Sequence, residues 1–218
     1  MGKVSDFFEK FGPIAVEVCA GTGIFPSVAL GQAALETGYA EKKPYNNMFG
    51  RKAANGDSPV FSATTHEVID GKDVVFKGTG KVYNSKDEAL KAGANKHTIF
   101  KTYPTMKDSW KDYVKLLTTS SRYAKAREAE NPFAQIQAIK AAGYATSTSY
   151  VDKVSNIIRS NNLQDWDQKK KSSRVGGKNR KWIVAVVLVV VAVIVAVVIW
   201  KRKEIFGKLK NIKLLKSK

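Results

Sequence analysis

Apolar side chains recur at helical spacing along most of this chain, and the breaks in that pattern mark its other elements. Phe7, Phe8, Phe11, Ile14, Ala15 and Val18 share one face, which predicts an amphipathic first helix capped at Ser5 and open to a kink at Pro13. Pro26 suits a first helical position, Val28, Leu30, Ala34 and Leu35 continue the apolar pattern, and Gly38 reads as a stop. Between Pro59 and Phe76 the composition turns β-branched and aromatic, and Asp70-Gly71 predicts a tight turn joining VFSATTHEVI to KDVVFKG in a hairpin. Ser85-Lys86-Asp87-Glu88 resembles a capping box before a short surface helix. From Lys107 to about Asn161 the pattern is helical again, with Trp110, Tyr113, Val114, Leu116 and Leu117 on one face and Ile136 and Ile139 inward after Asn131-Pro132. Gly143 to Thr146 breaks it before a last helix built on Tyr150, Val151, Val154, Ile157 and Ile158.

Beyond this region the text changes character. Residues 169–181 form a basic, polar tether, and 182–200 are 19 uncharged apolar residues flanked by Trp182 and Trp200. At about 1.5 Å rise per residue such a run crosses a hydrocarbon core of about 30 Å, so a single transmembrane helix is expected. In 201–218, Ile205, Leu209 and Ile212 make a stripe among lysines, suited to an anionic lipid surface. The expected organisation is a domain at 1–165, a basic linker at 166–181, the span at 182–200 and a basic amphipathic tail at 201–218. Seven basic residues before the span and eight after it leave its orientation open.

Charge sharpens this division. Residues 1–168 hold 22 Lys/Arg against 18 Asp/Glu, whereas 169–218 hold 15 against 1, so most of the +18 net charge lies around the apolar run. Basic residues that bracket a greasy segment instead of interleaving with aromatics argue against a nucleic-acid partner. Cys19 is the lone cysteine and reads as a small buried residue; His66 and His97 have no neighbours at ligand spacing, so no metal site is expected. The opening residues lack the charge and the uninterrupted apolar core of a secretory signal, since Glu9 and Glu17 break it.

Candidate chemistry centres on Glu36. It falls in the last turn of its helix, where the partial negative charge of the helix end disfavours an ionised carboxylate. A raised pKa there suits a general acid, although a solvated surface glutamate fits the same position. Asn46, Asn47, Met48, Phe49 and Gly50 follow, a loop able to hydrogen-bond sugar hydroxyls and N-acetyl groups while a ring packs on a pyranose, or merely to turn the chain.

QAALETGYA at 32–40 and NNMFGRKA at 46–53, followed in order by TTHEVIDGK at 64–72, FKTYPTMKDSWKDYVKLL at 100–117 and AGYATSTSYVDKV at 142–154, resemble the bacterial endo-β-N-acetylglucosaminidases that hydrolyse peptidoglycan. The resemblance spans roughly 5–162. It implies an α+β, mostly α, lysozyme-like domain with a small β-hairpin lobe over a saccharide cleft. It also implies that Glu36 is the catalytic acid, that Glu67 is a base or an electrostatic partner for an oxocarbenium-like transition state, and that Tyr144 orients the N-acetyl group or water. Glu67 also reads as a plain strand carboxylate, and Tyr144 as a core aromatic. Asn46, Asn47, Phe49, Gly50 and Tyr150 complete the expected substrate-binding set, and no cofactor is required.

Two positions depart from the family pattern: Ala40 stands where many relatives have glycine, and Arg51 replaces a commoner apolar residue. The expected function is a membrane-anchored hydrolase of peptidoglycan glycan strands, cutting β-1,4 bonds after N-acetylglucosamine, in a phage lysis or virion role. The alternatives are a muramidase or lytic transglycosylase, or a non-catalytic wall-binding protein. The expected location is a membrane crossed once near the C-terminus, with the domain facing the wall, or the membrane of a phage particle.

Overall fold

A computed structural model describes residues 2–168, all within the first of two units of the chain, Met1–Lys170. Its centre is α2 (Pro26–Thr37), in which ten residues are buried, so the helix is enclosed on nearly every side. Around it pack α1 (Lys3–Cys19), α6 (Pro132–Ala141) and α7 (Tyr150–Ser160), with α4 (Met106–Thr119) against α1 and the short α5 (Ala124–Arg127) joining α4 to α6. Gly31 permits a close approach of α7: a Cβ there would meet Ile158 and Val154 at 3.1 Å. Pro26 opens α2 and Gly38 closes it in the left-handed conformation, at φ 55 and ψ 50, as the sequence predicts.

The helix starts elsewhere follow side-chain chemistry. Thr105 and Asn131 cap α4 and α6 by accepting hydrogen bonds from the backbone N–H groups of Asp108 and Ala134. Ser5 does not cap α1. The helix already begins at Lys3, and the Ser5 hydroxyl donates back to the Gly2 carbonyl at 2.6 Å. Pro13 lies inside α1.

The β-rich stretch divides in two. β1 (Val60–Ser62) joins a three-stranded antiparallel sheet of order β4-β1-β5, with β4 at Val82–Tyr83 and β5 at Ile99–Lys101. β2 (Thr65–Ile69) and β3 (Lys72–Phe76) form the separate hairpin, in register from Thr65↔Phe76 to Ile69↔Lys72. Its turn residues Asp70 and Gly71 both take positive φ, as a two-residue hairpin turn requires. The expected helix after Ser85 is present as α3 (Lys86–Lys91), with Ser85 accepting from the Glu88 N–H. It is more than surface decoration: Ala89 and Ala94 pack with Val60, Tyr83, Ile99 and Ala53 in a second small core.

The expected membrane placement does not stand. Among the described residues no helix is long and apolar enough to cross a membrane. The segment 182–200 on which the expectation rested, like the tether at 169–181 and the tail at 201–218, lies outside the described residues. Packing does continue past 165. Asp167 accepts from both the Ser27 N–H (2.9 Å) and the Ser27 hydroxyl (2.7 Å) at the start of α2, and the Trp166 ring covers Gly12 of α1.

Candidate active site

A cavity of about 650 Å³ opens between the helices and the hairpin. Glu36, Phe49, Gly50, Tyr144 and Tyr150 line it on the helical side, and Glu67 reaches it from β2. The structure thus brings together six of the eight residues singled out in the sequence. Arg51, Lys52 and Arg122 add positive charge to the walls, and the His97 ring lines them as well.

Glu36 stands in the last turn of α2 and opens to solvent through the cavity. Protein nevertheless surrounds it on its other sides, and this burial pushes its pKa up to about 7, against the opposing effect of a hydrogen bond from Tyr150. Water at one edge and poor solvation of the charge are compatible, because the field of the carboxylate also samples the low-dielectric protein behind it. The Tyr150 hydroxyl donates to Glu36 Oε1 at 3.3 Å. Oε2 lies on the side of Gly50, where a Cβ would stand 3.3 Å from it.

Behind Tyr150 is a buried polar group that the sequence reading did not single out. Gln32, fully buried, donates from Nε2 to the Tyr150 hydroxyl at 2.8 Å and accepts on Oε1 from the hydroxyl of Tyr113. A signal was available: Gln32 lies four residues before Glu36, on the same face of a mostly apolar helix.

Glu67 has a different environment. Burial acts to raise its pKa, but Lys52 Nζ at 2.9 Å and His97 Nδ1 at 3.1 Å outweigh that and hold it below the usual carboxylate range. Two carboxyls in one cavity are therefore tuned in opposite directions, the pattern of an acid and a base. Lys52 and His97 are distant in sequence from Glu67, so no local motif announces them.

The amide loop plays another part than expected. Asn47 is 4% exposed and outside the cavity lining; its Nδ2 donates to the carbonyls of Arg51 and Lys101, and its Oδ1 accepts from the Arg51 N–H. Asn46, also outside the lining, spends its amide on the carbonyls of Tyr103 and Pro104. Both hold the loop in place by giving donors to backbone carbonyls of the loop itself, of β5 and of the segment that follows it. Phe49 contributes to the cavity wall, but its ring is 2% exposed and stacked on Tyr113 at 4.0 Å, which makes it core more than sugar platform. Its carbonyl accepts from the Tyr144 hydroxyl at 3.3 Å, fixing that tyrosine at the cavity edge.

Arg51 is held by Asp112 of α4 at 3.0 Å, and Asp112 also accepts from Tyr103 at 2.8 Å and pairs with Lys101 at 3.2 Å. Burial alone would raise the Asp112 pKa, and these partners lower it. The departure from the family pattern at Arg51 thus ties the loop to α4. Among the described residues no group of three His, Cys, Asp or Glu side chains could hold a metal ion.

Residues 12–163 match the family model described as mannosyl-glycoprotein endo-beta-N-acetylglucosaminidase, the glucosaminidase family. The chain belongs to this family. Among glucosaminidase relatives, peptidoglycan hydrolase FlgJ of Escherichia coli K12 is 34% identical over 146 residues, covering 63% of this chain and 40% of that protein. A Lactococcus lactis subsp. cremoris protein named "Probable N-acetylmuramidase" is 30% identical over 171 residues, covering 74% of this chain and 34% of that one. The chain therefore spans less than half of the length of either. A peptidoglycan hydrolase mutant from Sphingomonas sp. A1 superposes with a TM-score of 0.58 at 27% identity, over 74% of this chain and 96% of that structure. The glucosaminidase domain here accordingly has the lysozyme-like, mostly helical fold with small sheets that the sequence resemblance implied.

Proposed function

We propose that this chain is a peptidoglycan hydrolase that cuts the β-1,4 bond after N-acetylglucosamine, with Glu36 as general acid. The observation that carries this reading is the carboxyl on the cavity wall whose pKa burial pushes up to about 7, in a chain of the glucosaminidase family. Such a group holds its proton near neutrality and loses it to a departing glycosidic oxygen, the requirement for acid catalysis.

Protonation of that oxygen by Glu36 lets the bond to the anomeric carbon lengthen, and positive charge develops on the sugar ring. Glu67, kept ionised by Lys52 and His97, stabilises that charge or takes the proton of an attacking water. Tyr144, anchored on the Phe49 carbonyl, orients the N-acetyl group or the water from the cavity edge, and Tyr150 lies beside Glu36. The cations along the walls suit a polymer whose stem peptides carry carboxylates.

Digestion of purified sacculi tests the assignment. Glu36→Gln keeps size and hydrogen bonding but has no acid proton, so activity falls by about 10²–10⁴-fold. Wild-type rates in that variant would remove Glu36 from the chemistry. Mass spectrometry of the fragments tests the bond, with reducing N-acetylglucosamine ends expected. The muramidase reading, which the name of the Lactococcus relative favours, requires reducing N-acetylmuramic acid ends instead. Anhydro-muramic ends would indicate a lytic transglycosylase.

A further inference from the structure

The polar groups behind Glu36 form a hydrogen-bond series with a direction. Tyr113 donates to Gln32 Oε1, Gln32 Nε2 donates to the Tyr150 hydroxyl at 2.8 Å, and that hydroxyl donates to Glu36 Oε1 at 3.3 Å. Gln32 and Tyr113 are fully buried, so water does not offer them other partners, and Tyr150 is 5% exposed where it lines the cavity. Each link constrains the next. With its acceptor site occupied by the Gln32 amide, the Tyr150 hydroxyl has its own proton free to give, and Glu36 Oε1 is where it points.

This asymmetry bears on which carboxyl oxygen is acidic. An oxygen that accepts a hydrogen bond from a fixed donor is the carbonyl oxygen of a protonated carboxyl group. The proton then belongs on the other oxygen, Oε2, on the Gly50 side. We propose that Gln32 and Tyr113 are positioning residues, which hold the transferable proton of Glu36 on Oε2 by directing the Tyr150 hydroxyl onto Oε1. The proposal rests on Glu36 being the general acid. It gives a function to a glutamine at 0% exposure in the most buried helix of the fold, where an apolar side chain would pack without the cost of desolvating an amide.

The other groups around Glu36 do not supply the same order. Tyr144 gives its hydroxyl to the Phe49 carbonyl, Arg51 is paired with Asp112, and Glu67 is paired with Lys52 and His97. The series through Tyr150 is the hydrogen-bonded contact to Glu36 among the described side chains.

Gln32→Met, which keeps length and removes both polar atoms, and Tyr113→Phe, which keeps the ring stacked on Phe49, test the proposal together. Gln32→Met leaves Tyr150 without its orienting partner, and Tyr113→Phe leaves Gln32 Oε1 without the donor that fixes the amide. The ionised form of Glu36 is then less well hydrogen-bonded, so the alkaline limb of the kcat–pH profile moves to higher pH. The plateau kcat falls by about tenfold in Gln32→Met, as expected for a misplaced proton, with KM unchanged. Tyr113→Phe moves both quantities in the same direction and by less. In infrared spectra at low pH, the Glu36 carbonyl band, assigned by its loss in Glu36→Gln, shifts to higher frequency in both variants as Oε1 loses its donor. An unmoved limb and an unmoved band in folded Tyr113→Phe would overturn the proposal even if Gln32→Met fails to fold. Those results with an inactive Glu36→Gln would leave the acid assignment standing, whereas an active Glu36→Gln would remove the reading beneath it.

Discussion

In the proposed role of general acid, Glu36 acts only while it keeps its proton, so its environment would set the pH range of hydrolysis. With a pKa of about 7, hydrolysis of sacculi is expected to fall as pH rises through that value, and a rate profile from pH 5 to 9 checks it. The same shift affects stability with a definite sign. Because the folded pKa lies above the ordinary value of 4.5, the stabilising contribution is complete below about 4.5 and is lost as pH rises through about 7. Glu36→Gln never acquires the buried charge. Its melting temperature should therefore exceed the wild-type value at pH 8 and approach it at pH 4. Ala40 is a second residue at odds with its conformation: φ is +66, in the left-handed region, where the Cβ costs roughly 1–2 kcal/mol. Ala40→Gly relieves this at some cost in unfolded-chain entropy, and a net gain of about 0.5–1 kcal/mol in denaturant unfolding is expected. At this scale the sequence was legible where a residue's role follows from its own position. The place of Glu36 in a last helical turn pointed to a raised pKa, but the cause in the structure is burial against the surrounding protein and not the helix end. The duties of Asn46 and Asn47 were not legible, since which carbonyls they satisfy depends on β5 and the loop after it.

Elements were read well wherever one face is apolar and the ends carry their own signals, as in α2, α4, α6 and the β2–β3 hairpin. The errors have physical causes. VFSATTHEVI looked like one strand, but Val60–Ser62 pairs with Val82–Tyr83 and Ile99–Lys101, partners that local alternation cannot reveal. Ser5 looked like a cap because hydroxyls favour that position, yet the helix started earlier. The true anchor of α2 is remote in sequence: Asp167 meets Ser27 across 140 residues and supplies the carboxylate that the helix start lacks, since Phe25 has no capping side chain. Asp167→Ala should cost about 1–2 kcal/mol, the usual loss for a helix cap, and urea unfolding measures it. Because α2 carries Glu36 at its far end, kcat of the folded fraction is expected to fall less than stability does.

For the described domain as a whole, the arrangement that matters is a packed helical wall facing a light hairpin. Among the described residues β2 and β3 pair only with each other, and several of their side chains are exposed. The hairpin is attached through Glu67 to Lys52 and His97, through Phe76 stacked on His97 at 4.4 Å, and by a long hydrogen bond of 3.4 Å from the Val68 N–H to Thr146 across the cavity. Thr146→Val removes the last of these. A bond worth about 0.5–1 kcal/mol should raise amide exchange in β2–β3 by roughly two- to fivefold, with α2 unchanged, in hydrogen-exchange mass spectrometry. The family resemblance pointed to such a lobe, but its fastenings come from side chains scattered over the whole domain.

Trp166 and Asp167 bear on where the polypeptide can be cut. The family match stops at 163, before both residues. An engineer trimming to that limit would strip the indole from the hollow at Gly12 and unseat the carboxylate from Ser27, loosening the two N-terminal helices at once. A usable recombinant fragment should therefore retain Asp167.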